Sequence, residues 1–491
     1  MKHYKLVLPF LFFALFQIQA KEKQEKIKGI PVINDPVVVG NRVNTPFLFT
    51  IPASGERPMK WSAQGLPDGL VLDENSGIIS GKATIEGLYN IALCASNRLG
   101  ETRSNLEIRI GKILALTPPM GWNGWNLFMC EVDEQLVKEM ADALVSTGLR
   151  DLGYQYINLD DGWQEESRDI NGDIVINRTK FPNGIKYLAD YLHDRGLKLG
   201  IYSDAAEYTC EKRAGSYGYE KRDVEKYVEW GVDFLKYDYC FAPESKDTAI
   251  VRYRKMAETI QHCGRSIVFS VCEWGDREPW TWAPGLGANL WRTTQDIRDI
   301  WVNKSKKNNG IFQIFEKNIR LADVAGPGKW NDPDMLLVGL YGKGPATTRE
   351  NYVPTLAEYR AQFALWCLMA SPLLISTDIR SMKEKIRSVL MHKELIKINQ
   401  DRLGKQAQSI IDSEDVHVIA KPLSDGSYAI GILNKRETKI SYQLIMKDLN
   451  LGKVISVKDV WKNEPLPDKK ESLFLEIDAH DCLVFQIRTK K

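Results

Sequence analysis

Between Thr117 and about residue 402 one unit recurs: a short apolar run of strand length, then a stretch with helical spacing. Eight strand candidates end near Trp125, Asp161, Asp204, Asp238, Glu273, Asp296, Asp334 and Thr377. Helical spacing occupies Glu134 to Thr147, Gly184 to Arg195, Tyr219 to Trp230 and Thr248 to His262. Such alternation implies parallel strands, because a parallel neighbour needs a crossover and a helix is the compact one. Eight units in about 290 residues fit a (β/α)8 TIM barrel, which typically takes about 250. In that fold the functional residues gather where strands meet the following loops. Here carboxylates fall at those ends, strand after strand, whereas a random scatter would place many on helix surfaces.

The run Gly231 to Cys240 shows the pattern most clearly. Val232, Phe234, Leu235 and Tyr237 read as a buried strand, and Lys236 and Asp238, two residues apart, share one of its faces. A buried ammonium and carboxylate are costly to desolvate unless they pair or do chemistry. A structural ion pair and a functional pair are equally compatible with this run taken alone.

The flanks read differently. Lys2 and Lys5 followed by the apolar run Leu6 to Phe16 and a small residue at Ala20 describe a signal peptide over residues 1–20, hence export to the periplasm or the outside. That run is too short to span a membrane comfortably, and no other apolar run is long enough. Residues 21–112 open on a charged lead-in and continue as short alternating strands separated by Gly, Pro and Asn. The stretch Trp61 to Asp73, followed by Ser76 to Gly81, resembles an immunoglobulin-like domain appended to exported bacterial enzymes, a small β-sandwich. The barrel is expected over 113–402, and a second antiparallel β-sandwich over 403–491. Both flanking modules lack clustered site residues and read as structural.

A formal charge of +2 without a basic stripe argues against nucleic acid as a partner. No EF-hand spacing, His-x-x-x-His or metal-spaced Cys pair occurs, and the 6 His lie outside every motif, so neither a metal, a cofactor nor a His-based triad is expected. What remains is carboxylate chemistry. Two acids flanking a sugar can cleave a glycosidic bond, and a separation of about 5–5.5 Å means retention through a covalent intermediate.

Seven segments then carry a family resemblance. They are Thr117-Pro-Pro-Met-Gly-Trp-Asn-Gly-Trp-Asn126, Asp160-Asp-Gly-Trp163, Gly200-Ile-Tyr-Ser-Asp204, Lys236-Tyr-Asp238 with Cys240, Cys272-Glu-Trp-Gly275, Trp291-Arg-Thr-Thr-Gln-Asp296 and Gly326 to Met335. In this order and spacing the barrel resembles the α-galactosidases of glycoside hydrolase family 27. The resemblance implies a retaining exo-α-galactosidase with Asp238 as nucleophile and Asp296 as general acid/base. It implies that Lys236 and Arg292 contact substrate, that Asp160 and Asp161 grip the 4- and 6-hydroxyls, and that Trp125 and Tyr202 form an aromatic wall. Glu273 and Trp274 match the segment over the sugar 2-position, where members preferring N-acetylgalactosamine carry smaller residues. Asp332 and Asp334 stand near the acid/base, in contact or in support.

The same resemblance implies a disulfide between Cys210 and Cys240, both beside the substrate site. Where the family often has a Cys partner for Cys130, this chain has Gly162, so the family's bridge lacks its partner here and the pairing of Cys130 stays open. The alternatives are α-N-acetylgalactosaminidase, β-L-arabinopyranosidase, or a catalytically dead galactose-binding protein; intact Asp238, Asp296 and Lys236 argue against the last. The natural α-galactoside and the oligomeric state are not legible.

Overall fold

The computed structural model describes residues 29–305, 307–345, 352–467 and 470–490; the expected signal peptide, residues 1–20, lies outside them. The N-terminal module is a two-sheet sandwich. One sheet orders Val38–Asn41, Gly100–Ile110, Gly87–Asn97 and Lys60–Gln64, and the other Phe47–Thr50, Ile78–Gly81 and Leu70–Leu72. Along Gly87–Asn97 the residues Ile91, Leu93 and Ala95 point inward and their neighbours outward, which is the period of two that makes one face of a sheet apolar. They close on Phe47, Phe49, Trp61 and Ile79.

The barrel strands are β1 (Met120–Asn123), β2 (Tyr156–Asn158), β3 (Lys198–Asp204), β4 (Phe234–Asp238), β5 (Val268–Val271), β6 (Leu290–Arg292), β7 (Trp330–Asp332) and β8 (Leu373–Ile375). They form one parallel sheet in the order β7-β6-β5-β4-β3-β2-β1-β8. A parallel bridge between Leu336 and Ile375 joins the two ends of that order. β3 and β4 end at Asp204 and Asp238 as the sequence reading expects. The other six stop two to four residues earlier than expected. Their acids stand on the chain just after the ladder, where local bonds replace it: the Asp161 N–H turns to the Asp160 carboxylate, and Gly162 takes φ 92°.

The expected helices are present as α1 (Glu134–Ser146), α2 (Gly184–His193), α3 (Glu220–Trp230) and α4 (Lys246–Gln261). Two more, α5 (Ile311–Asn318) and α6 (Leu356–Leu368), complete the ring of longer helices. Helix α6 is buried almost all round, so it lacks the polar face by which a surface helix is read from sequence. It is sandwiched between the barrel and the C-terminal module. That module has a sheet ordered Gln408–Asp412, Val416–Pro422, Tyr428–Asn434, Cys482–Lys490, Lys453–Asp459, Glu464–Pro465, and a two-stranded sheet of Ile440–Ile445 with Ser472–Ile477.

The N-terminal module docks where barrel strands begin. Gln155, just before β2, donates to the Thr50 carbonyl at 2.7 Å, and the Thr50 hydroxyl donates to the Gly196 carbonyl, just before β3, at 2.7 Å. It therefore covers the end of the barrel opposite Asp238. Among the described residues no helix is long and apolar enough to cross a membrane.

Candidate active site

Strands β3 and β4 build the floor of a cavity of about 350 Å³ at the C-terminal ends of the strands. Alternation along β4 sends Tyr237 outward, onto Tyr253 and Phe269, and sends Lys236 and Asp238 inward. Tyr202 stands in register with Lys236 on the neighbouring strand, which brings its hydroxyl 3.1 Å from the Asp238 carboxylate as a donor. Burial, and then the Asp238 charge, push the Tyr202 phenol well up, so it stays protonated to donate. Lys236 Nζ lies 2.7 Å from Asp160 Oδ2, which also accepts from Asn123 Nδ2 at 2.8 Å. The Tyr239 N–H supplies Asp238 with a further donor at 2.9 Å.

Asp296 faces the same cavity from the loop after β6. Its side chain is 48 % exposed, whereas Asp238 is 4 % exposed. Buried Arg292 divides its guanidinium between Asp296 at 3.1 Å and Asp334 at 2.9 Å. The electrostatics separate the two cavity acids. Burial raises Asp238 to about 7; Lys236 opposes this, and the Asp296 charge adds to it. At Asp296 burial also acts upward, but the Arg292 and Lys236 cations outweigh it and hold the carboxyl below its usual range. Lys236 thus acts on both acids, whereas Arg292 contacts Asp296 directly.

Trp125, Asp160, Tyr202, Cys210, Lys236, Asp238, Trp274 and Asp296 line this cavity. Glu273 does not. Where the chain turns after β5, Cys272 and Trp274 face the interior spaces, and Glu273, between them, is turned away onto the Arg277 N–H at 2.8 Å and its guanidinium at 3.2 Å. Contrary to the expectation that it fills space in the site, Glu273 does not line the cavity; of the two, Trp274 does. Trp274 holds φ 60°, and Gly275 follows at φ 76°, where a Cβ would meet the Thr293 carbonyl at 2.2 Å, so the position takes glycine.

Asp161, Arg292, Asp334 and Cys240 stand behind the lining. The Asp161 carboxylate accepts from the Glu211 N–H at 2.8 Å, and burial raises it to about 6. Asp334 also accepts from the Ile297 N–H at 2.8 Å and so fixes the residue after Asp296. Arg292 and Asp334 border a smaller space beneath the cavity.

Cys210 and Cys240 form a disulfide, with Cα atoms 5.1 Å apart, and Cys210 Sγ lies 3.8 Å from Asp238 Oδ2. The sulfurs cluster with Asp204 and Asp238, but a disulfide has no thiolate to offer a metal. Cys130 is unbridged, and a Cβ on Gly162 would meet its sulfur at 2.8 Å.

Sequence reasoning missed four contributors. Asn123 lay inside a quoted motif without a role, and only its bond to Asp160 reveals one. Asp204 is fully buried in register with Asp238 and accepts from the Cys240 N–H at 2.9 Å. Glu211 and Arg298 enter the lining from loops with no periodic signal.

Comparison with known proteins follows the same architecture. A family profile described as Alpha galactosidase A matches residues 117–401, one for the Alpha galactosidase C-terminal beta sandwich domain matches 413–487, and one for an Ig domain matches 30–110. An alpha-galactosidase of Cyamopsis tetragonoloba is 43% identical over 376 residues, covering 76% of this chain and 86% of that protein. Alpha-galactosidase A of Cellvibrio japonicus is 42% identical over 391 residues, covering 76% and 92%. Among solved structures, alpha-galactosidase I of Mortierella vinacea superposes with a TM-score of 0.72 at 31% identity, covering 77% of this chain and 98% of its own. The chain belongs to the α-galactosidases of glycoside hydrolase family 27.

Proposed function

We propose that the chain is an exported, retaining exo-α-galactosidase that works by double displacement. The observation that carries this reading is the pair Asp238 and Asp296: two carboxylates facing one cavity, Asp238 buried and Asp296 half-exposed beside Arg292. The electrostatics favour the proton on Asp238 over Asp296, so the roles are assigned by position and by the family resemblance and not by these shifts: Asp238 stands at the buried end of β4, and Asp296 on the half-exposed loop. The cavity lies at the small end of ligand pockets, the size for one sugar ring, which supports removal of terminal residues. Relatives named as alpha-galactosidases, and a Saccharomyces cerevisiae alpha-galactosidase solved with raffinose, support galactose as that ring.

Asp238 attacks the anomeric carbon and forms a β-linked galactosyl ester. Asp296 gives its proton to the departing glycosidic oxygen. Asp296 then takes a proton from water, whose oxygen attacks the anomeric carbon, frees Asp238 and restores the α configuration. Tyr202 and Lys236 stabilise the Asp238 carboxylate as it is released, and Asp160, held by Lys236 and Asn123, offers acceptors to the sugar hydroxyls. Export rests on the signal-peptide reading of residues 1–20.

Replacing Asp238→Gly tests the assignment. Turnover is expected to fall on the order of 10⁴-fold or more. Azide is expected to restore reaction with an activated aryl α-galactoside and to yield the β-galactosyl azide, because it enters from the face the carboxylate occupied. An α-azide, or turnover close to the parent's, overturns the reading.

A further inference from the structure

Among the described residues the C-terminal module contributes none to the cavity lining, yet one of its side chains packs on the loop that carries Asp296. That loop runs from β6 to α5. Its near end is tied by Arg292 and by the Ile297 N–H to Asp334. Its far end is tied to the start of α5, where the Ile311 and Phe312 N–H groups donate to the Ile300 and Trp301 carbonyls at 2.9 and 3.0 Å. Between those ends the buried Trp301 stacks with two rings, Phe312 at 5.6 Å and an interplanar angle of 20°, and His480 at 4.7 Å and 16°.

His480 belongs to the turn between Ser472–Ile477 and Cys482–Lys490. It is buried at φ 59°, in the left-handed region that His enters more readily than most non-glycine residues. What holds it is α6: His480 Nδ1 lies 2.7 Å from the Glu358 carboxylate, which also accepts from the Thr355 N–H at 2.7 Å and from the Tyr352 hydroxyl. The next residue of α6, Tyr359, reaches the acid loop itself, 3.1 Å from both Asp299 oxygens. One helix therefore holds the loop at Asp299 and holds the residue that stacks on the loop at Trp301. Such packed elements shift as a unit, and a displacement of about 1 Å at a reacting group can cost about 10²-fold in rate.

We propose that His480 of the C-terminal sandwich is a positioning residue for Asp296, acting through the Trp301 ring. This rests on Asp296 being the general acid/base. Because kcat/KM reports the first displacement and not the water step that all substrates share, a displaced acid lowers it only for substrates whose leaving group needs a proton, whereas a general loss of structure lowers it for all alike.

The test compares kcat/KM on raffinose, a poor leaving group, with kcat/KM on 2,4-dinitrophenyl α-galactoside, a good one, in the full chain. His480→Ala is expected to lower the raffinose value about 10-fold or more while the dinitrophenyl value stays within about 3-fold. His480→Phe, which keeps a ring on Trp301, is expected to recover most of the raffinose activity. Trp301→Leu removes the same contact from the loop side and is measured in parallel, so a His480 variant that fails to fold still leaves a result. An equal fall on both substrates, or no fall on either, overturns the proposal. The Asp296→Ala control separates the two readings: a leaving-group dependence there without one at His480 removes only the positioning role, and none in Asp296→Ala removes the acid/base assignment itself.

Discussion

At the scale of single residues, we propose that discrimination over the sugar 2-position falls to Trp274. It lines the cavity from a left-handed backbone, whereas Glu273 is engaged with Arg277 on the far side of the chain. A steric difference in a pocket is worth about 1–3 kcal/mol, or about 10–200-fold. Trp274→Ala is accordingly expected to raise the ratio of kcat/KM on an N-acetyl-α-galactosaminide to that on the galactoside by about 10-fold or more. Glu273→Gln is expected to leave this ratio unchanged. Paired kinetics on the two nitrophenyl substrates check both. The two neighbours looked equivalent in the linear chain because which of them faces inward depends on where β5 stops and the chain turns.

At the scale of elements, the loops after β3 and β4 work as one piece. The Cys210–Cys240 bridge joins them across 30 residues, the Glu211 N–H holds Asp161, and the Cys240 N–H holds Asp204. Closing a loop of that length stabilises by about 3.6 kcal/mol on chain entropy. Cys240→Ser is expected to lower thermal stability by an amount of that order in calorimetry. It is also expected to lower kcat, because Asp238 stands two residues before the released position. A variant with parent stability would show that the bridge constrains nothing. The element boundaries also show what sequence pattern can reach: α1 to α4 were legible from their amphipathic stripes, while α6, apolar on nearly every side, was not.

At the scale of the whole molecule, the barrel has different partners at its two ends. The N-terminal sandwich closes the end where strands begin, and the C-terminal one packs on α6 and reaches the acid loop. Between them the fold buries several carboxyls that titrate high. Burial raises Asp238 and Glu273 to about 7, and Asp161, Asp299 and Asp332 to about 6. Each binds its proton more tightly folded than unfolded, so its contribution is complete below the unfolded value near 4 and is lost as pH rises through the folded one. The melting temperature is expected to be higher at pH 5 than at pH 8 by about 5 °C or more. Calorimetry across that range checks the sign; a melting temperature rising steadily to pH 8 would contradict it.

The alternation of short apolar strands with helical stretches determined the barrel, because parallel pairing with helical crossovers is the compact solution for that pattern. The acids placed at successive strand ends located the site, since a closed parallel barrel brings every such end to one rim. The period of two along Lys236-Tyr237-Asp238 was enough to put both charges on one face. Tertiary structure alone decided the rest. Whether Glu273 or Trp274 faces inward, that Asp161 holds a loop, that Asn123 supports Asp160, and that His480 stacks on Trp301 all depend on contacts between residues far apart in the chain. Local pattern encodes which face of an element is apolar. It carries no record of which distant side chain comes to lie against that element once the ring has closed.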